Sequence, residues 1–291
     1  MTGRGGHDMG PGPISVRRTD EDASWERQAF LPSSRYILGM RVDATSYQDA
    51  TEQVIGWAHR SESRYVCVAA VNNVMQAYDD NGFREAMNRA DLVTPDGMPL
   101  VWGLRWLGVR RATRVYGPEL TPALLGAAAK RGIPVGFYGG APDVLDTFVL
   151  EARRRWPNLK IVYAYSPPYR ELTTQEDAAV ASAIDTSGAR IVLVALGCPK
   201  QEQWMASHAG RFGAVLVGVG AAFDFLAGAK RQAPRVLQNA GLEWLFRLAT
   251  EPKRLLRRYL GQNPRFALLF SAQLVRAHLV RFPSFPRKET H

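Results

Sequence analysis

From residue 36 onward, short apolar runs alternate with longer stretches of helical periodicity. The runs at 36–42, 65–71, 92–94, 135–138, 160–165, 190–196 and 214–219 predict strands. Between them, amphipathic patterns predict helices at 46–60, within 74–89, and at 100–107, 121–130, 142–156, 174–184 and 202–211. Thr45 or Ser46 would cap the first of these, and Thr173 or Thr174 the one at 174–184. Pro122 falls at an early position of its helix, where a missing N–H costs little. The run Ile191-Val192-Leu193-Val194 is apolar without alternation, as in a strand buried on both faces. This order predicts an α/β fold, a Rossmann-like, mostly parallel sheet flanked by helices and joined by right-handed crossovers. No strand pattern follows residue 236. Helices with basic faces fill 236–280 and form a basic helical C-terminal appendage. Residues 1–34 are rich in Gly, Pro, Asp, Arg and Ser without periodicity and read as a flexible arm. The expected division is the arm at 1–34, an α/β catalytic body at 35–243 and the appendage at 244–291.

Composition narrows the class. The 291 residues are 46% hydrophobic and 22% charged, enough for a sizeable core. Cys67 and Cys198 have no CxxC spacing, so neither a disulfide framework nor a zinc site is expected. His7, His59, His208, His278 and His291 are scattered, and no DxD pair is present, so no metal is expected. Asp79-Asp80 lies in a helical stretch and reads as solvated. The longest uncharged apolar-rich runs, 212–223 and 266–275, are about 10–12 residues, and a spanning helix needs roughly 20. The first 30 residues lack an apolar signal core, so a cytoplasmic protein is expected. The net charge of +10 is concentrated at one end: residues 247–291 hold ten Lys/Arg against two Asp/Glu. Nucleic acid, anionic lipid and a phosphorylated ligand all suit such a stretch.

Candidate chemistry sits in the turns that follow strands, where open α/β sheets bind ligands. In Thr94-Pro95-Asp96-Gly97, a proline and a glycine hold Asp96 at the sheet edge, a place for a general base or an ordinary turn. Arg114-Val115-Tyr116-Gly117 opens a helix, where Arg114 is placed either to contact a phosphate or to lie on the surface. Gly139-Gly140 allows close approach of a ligand to the backbone. Gly197-Cys198-Pro199-Lys200-Gln201-Glu202 turns sharply after a buried strand and offers Lys200 and Gln201 to an anionic, hydroxyl-rich ligand. Gly218-Val219-Gly220 leaves room for a base or sugar, and Asp224 pairs with Lys230 or Arg231 or binds a ligand hydroxyl. No complete GxGxxG, GxxxxGK[ST] or GxSxG is present, which disfavours a dehydrogenase, a P-loop ATPase and a serine hydrolase.

Taken in order, these segments resemble the WecG/TagA/CpsF family of bacterial glycosyltransferases. The resemblance rests on Val74-Met75-Gln76-Ala77, Ala90 through Gly97, Arg114-Val115-Tyr116-Gly117 and Tyr138-Gly139-Gly140. It also rests on Gly197 through Glu202, Gly218-Val219-Gly220 with Phe223-Asp224, and Gly241-Leu242-Glu243-Trp244-Leu245. It covers roughly residues 36–260. It implies an inverting, metal-independent, cofactor-free transfer of a sugar from a nucleotide donor to a polyprenyl-diphosphate-linked saccharide. The donor would be UDP-linked, its sugar N-acetylmannosamine or a related hexose or uronic acid. By position, Asp96 matches the proposed base, and Gln201 a residue at the sugar or diphosphate. Arg247, Arg254 and Arg257 match arginines of an appendage that closes the site and meets the membrane. Many members carry Thr-x-Asn after the second strand. Here Val68 and Ala70 stand at those places, with Asn72 and Asn73 just beyond, one or the other of which would supply the polar contact.

The expected partners are therefore a nucleotide sugar, a polyprenyl-diphosphate-linked acceptor and an anionic membrane surface. The location is peripheral, on the cytoplasmic face of the plasma membrane, and a homo-oligomer is compatible with the reading. The competing readings are a non-catalytic nucleotide-sugar-binding protein and a nucleic-acid-binding α/β protein. The basic stretch lacks the aromatic stacking pattern and recognised module of the latter, so no nucleic acid is expected.

Overall fold

The computed structural model describes residues 32–281, without some side chains in the last helices. The arm before residue 32 lies outside the described residues. The described residues belong to one compact unit. Its strands and helices are β1 (Ser34–Ile37), β2 (Met40–Asp43), α1 (Tyr47–His59), β3 (Arg64–Ala69), α2 (Val71–Asp79), α3 (Asn81–Arg89), β4 (Leu92–Pro95), α4 (Met98–Trp106), α5 (Gly117–Arg131) and β5 (Val135–Gly139). They continue with α6 (Pro142–Arg155), β6 (Ile161–Tyr165), α7 (Thr174–Ser187), β7 (Ile191–Ala195), α8 (Lys200–His208), β8 (Val215–Gly218), α9 (Ala222–Leu226), α10 (Arg235–Asn239), α11 (Glu243–Thr250) and α12 (Pro252–Arg281).

Six strands form one parallel sheet in the order β4-β3-β8-β7-β5-β6. The fold is Rossmann-like α/β with helices on both faces. Successive strand residues point to opposite faces. Cys67, Val93, Val192, Val194 and Leu216 therefore meet Met75, Met87, Leu100, Ile184 and Met205 on one side. Val66, Leu92, Phe137, Leu193 and Val217 meet Val54, Leu124, Phe148 and Phe223 on the other. Two covered faces explain the uninterrupted apolar runs of β7 and β8.

Three expectations need correction. The segment at 36–42 is a hairpin rather than one strand. Leu38 and Gly39 take positive φ, +49° and +86°, and fold β1 back on β2. Pro122 is not near the start of its helix. α5 begins at Gly117 with Pro118 in its first turn, and Pro122 sits inside. The helix expected from 202 begins at Lys200, so Gln201 and Glu202 are its first-turn residues and turn inward.

The last helices, α10 to α12, form the appendage, which on this count begins at Arg235, ahead of the expected boundary at 244. α12 lies against the body through Phe266 and Phe270, both buried, with Phe270 stacked on Trp106 at 6.3 Å. Gln273 extends the hairpin: its Nε2 donates to the Tyr36 carbonyl at 2.7 Å, and its Oε1 accepts from the Leu38 N–H at 2.8 Å. Asp79, expected to be solvated, receives both terminal nitrogens of Arg265 from α12. Asp80 caps α3 by accepting from the Phe83 N–H.

Candidate functional site

The carboxyl ends of β4, β3, β8 and β7 lie side by side, and the segments that leave them enclose a polar cavity of about 200 Å³. In a parallel sheet every strand end is followed by the start of a helix. Ala70 and Asn72 come from the start of α2, Tyr116 and Pro118 from that of α5, and Gly197 and Cys198 from the turn into α8. Three helices of at least nine residues thus aim their amino ends at one volume. The partial positive charge there favours an anion.

Asp96 is the first residue past β4. Its N–H donates to the Ala69 carbonyl at 2.8 Å and extends the ladder by one bond, after which Gly97 opens α4. The carboxyl oxygen Oδ1 is buried without a hydrogen-bond partner. Its nearest cation is Arg114 Nη2 at 3.6 Å. Burial pushes the Asp96 carboxyl up to about 7. Arg114 opposes that rise, Glu243 adds to it and Arg247 opposes it. Arg114 is held on the face of the Tyr116 ring, 4.1 Å from its centre. It donates to the Asp96 backbone carbonyl, to Gln238 Oε1 and to Glu243 Oε2. The guanidinium considered for phosphate therefore commits three of its five N–H donors within the chain. Arg247, one turn after Glu243 on α11, borders the cavity with a buried Nε that has no hydrogen-bond partner.

The opposite wall is a network of carboxamides and a carboxyl. Gln201, 3% exposed, accepts from the Gly220 N–H at 3.1 Å and donates to Glu202 Oε1 at 2.8 Å. Asn73 donates to the same oxygen at 3.0 Å and accepts from the Ala70 N–H. Burial raises the Glu202 carboxyl, and the hydrogen bonds from Gln201 and Asn73 oppose the rise. These side chains bind the ends of β3, β7 and β8 into one frame. A Cβ at Gly218 would stand 2.7 Å from Met205 Cε and 3.0 Å from Gln201 Nε2, so a larger residue there would push on the frame.

A second, larger cavity of about 450 Å³ opens between α4 and the appendage. Trp102, Trp106, Trp244, Tyr259, Phe266 and Phe270 wall it. Asp96, Asn72, Ala70 and Arg247 border both cavities, so the Asp96 carboxyl stands where they meet.

Asp96, Asn72, Asn73, Gln201, Gly220 and Arg247 thus gather at the polar cavity, while Arg114 borders the aromatic one. Other candidates lie elsewhere. Lys200 is exposed above the Tyr169 ring, at 5.8 Å. Asp224 pairs with Lys230 at 3.1 Å. Gly139 and Gly140 border neither cavity. Gly139 is required because a Cβ would stand 2.6 Å from the Ala195 backbone, and its φ is +111°. The side chains of Arg254 and Arg257 lie outside the described residues, as do His7 and His291. Among the described residues, no three His, Cys, Asp or Glu side chains are grouped to hold a metal ion. Glu243, Gln238 and the aromatic wall had no assigned role in the sequence. The signals were there: an acid in a basic stretch, and Trp102 with Trp106 on one face of a helix.

The sequence model described as "Glycosyl transferase WecG/TagA/CpsF family" matches residues 35–279, from β1 to the last turns of α12. The match runs through both cavities and every residue that borders them. The chain belongs to this family, and it is a glycosyltransferase of cell-surface polysaccharide synthesis.

Proposed function

We propose that the enzyme is an inverting, metal-independent transferase. It moves a sugar of the N-acetylmannosamine type, or a related hexose or uronic acid, from a UDP-linked donor to a polyprenyl-diphosphate-linked saccharide. The observation that carries this reading is the place of Asp96, a carboxyl with a raised affinity for protons between a polar, helix-ended cavity and an aromatic one. The donor's diphosphate occupies the polar cavity against the amino ends of α2, α5 and α8. Gln201 keeps one N–H and one lone pair for the sugar beyond those the frame uses. The acceptor enters from the aromatic cavity, whose wall suits the isoprenoid end of its carrier. Asp96 takes the proton of the acceptor hydroxyl, and the oxygen attacks the anomeric carbon opposite the diphosphate. The bond from that carbon to the diphosphate oxygen breaks, and the nucleoside diphosphate leaves. Arg247 and the helix ends meet its charge, with Arg254 and Arg257 assigned to the same task by resemblance.

The test is a donor screen against a polyprenyl-diphosphate-linked acceptor, followed by release of nucleoside diphosphate. Acceptor-dependent release from one donor supports the reading. Release from none, or sugar transfer only from a donor without a nucleotide, overturns it. Turnover should persist in EDTA, and loss that Mg²⁺ or Mn²⁺ restores would transfer the leaving group's stabilisation to a metal.

A further inference from the structure

Arg114 is built as a bracket between the body and the appendage. Its Nε holds the backbone carbonyl of Asp96 at the end of β4. Its Nη1 reaches Gln238 Oε1 on α10 at 3.3 Å, and its Nη2 reaches Glu243 Oε2 on α11. Two carboxylates therefore compete for Nη2. Glu243 has it at hydrogen-bonding range, and Asp96 Oδ1 is left at 3.6 Å with no hydrogen-bond partner. A base paired to a guanidinium is a weak base, because the pairing favours its charged form. The acid on the appendage draws Nη2 to its own side of that gap.

We propose that Glu243 is a positioning residue: by occupying Arg114 it keeps Asp96 Oδ1 beyond hydrogen-bonding range at the junction of the two cavities, so that the base is armed only when the appendage is seated. The proposal rests on Asp96 being the base. The charged and titratable groups facing Asp96 are Arg114 and Tyr116 before and at the start of α5, and Glu243 and Arg247 on α11. Tyr259 of α12 stands behind Arg247. Burial makes the Tyr116 proton harder to lose, and the Glu243 charge adds to that. Loss of the Glu243 charge removes one repulsion from Asp96 and releases a cation toward it. Both changes favour the Asp96 carboxylate.

The experiment is a titration of the Asp96 carboxyl by carbon NMR on aspartate-labelled protein, assigned with Asp96→Asn and repeated in Glu243→Gln and Glu243→Asp. Glu243→Gln should move the Asp96 midpoint to lower pH by about one unit, about a tenfold change in proton affinity. It should also lower kcat roughly tenfold with donor KM within about twofold, as for partial loss of a base. Glu243→Asp, which keeps the charge, should restore most of both. Trypsin at the exposed Arg231 and Arg235 reports whether the appendage stays seated. An unmoved midpoint overturns the proposal. So does a lowered midpoint with faster cutting, since Glu243 would then only clamp the appendage. If the wild type turns over no donor, the proposed function fails, whereas the titration still decides whether Glu243 sets the state of Asp96.

Discussion

As the proposed base, Asp96 would combine a stability cost with a catalytic gain, and the two are separable. A base works deprotonated, so with a carboxyl near pH 7 the acid limb of kcat/KM should fall as pH drops through about 7. Asp96→Asn should lower kcat by roughly 10²–10⁴ with donor affinity nearly unchanged. A variant within threefold of wild type would remove Asp96 from the role. The same shift has a sign for folding. An unfolded aspartate ionises near 3.9 and the folded one near 7, so ionisation opposes folding increasingly from about pH 4 to pH 7. Asn never ionises. Asp96→Asn should therefore match or exceed the wild-type melting temperature at pH 8, and the advantage should vanish near pH 4. A lower melting temperature at pH 8 would mean that the Asp96 charge is a net structural partner of Arg114. The sequence carried the position of this residue, since Pro95 and Gly97 pin it to a strand end. It did not carry the surroundings. Glu243 lies 129 residues from the Arg114 it grips, and pairings across that distance leave no local pattern.

The elements differ in what fastens them. α12 is held to the body by exposed charge pairs and by buried rings. Arg265 to Asp79 is bidentate, yet both side chains are about half exposed, and such pairs contribute about 0.2–1 kcal/mol. Phe270 is 3% exposed and stacked between Trp106 and Phe266, and truncating a buried Phe costs about 3–5 kcal/mol. The rings should dominate. In urea unfolding, Phe270→Ala should lose several times more stability than Asp79→Asn; the reverse order would make α12 an electrostatically docked helix. The adjoining cavity places Phe270→Ala toward the low end of its range. At this scale the sequence was legible wherever periodicity was strong. All six strands of the sheet and most helices follow from it. The misses share one cause, the local backbone. The turn between β1 and β2 uses Leu38 at positive φ, which a branched residue seldom adopts, so Gly39 is its single turn signal. Pro122 sits inside α5 because the helix starts a turn earlier, at the Pro118 that pattern-reading passed over. Gln201 turns inward because α8 begins at Lys200, which makes it part of the frame with Asn73 and Glu202.

At the scale of the whole molecule, both cavities of the candidate site are walled in part by a helical appendage that also presents an apolar stripe to the outside. Among the described residues no helix is long and apolar enough to cross a membrane. Leu256, Leu260, Leu268 and Val275 are 48%, 63%, 74% and 59% exposed, and their spacing places them along one side of α12. Arg265 and Arg276 are exposed on the same helix. Removing α12 is a poor test of this surface, because Phe266, Phe270 and the Gln273 bonds to the hairpin would leave with it. The better test changes the stripe alone, since Leu260 and Leu268 border neither cavity. Full-length protein should bind vesicles containing anionic lipid, and binding should weaken with salt as screening shortens the reach of the charges. Each leucine placed in the interface contributes about 1.5–3 kcal/mol, and each basic side chain near it about 1 kcal/mol. Leu260→Glu with Leu268→Glu should therefore abolish vesicle binding. Release of nucleoside diphosphate with a short, water-soluble acceptor should stay near wild type, while turnover of a vesicle-embedded acceptor falls. Unchanged vesicle binding would move the membrane contact off α12. Loss of activity on the soluble acceptor as well would make the stripe part of the fold instead of a surface for lipid.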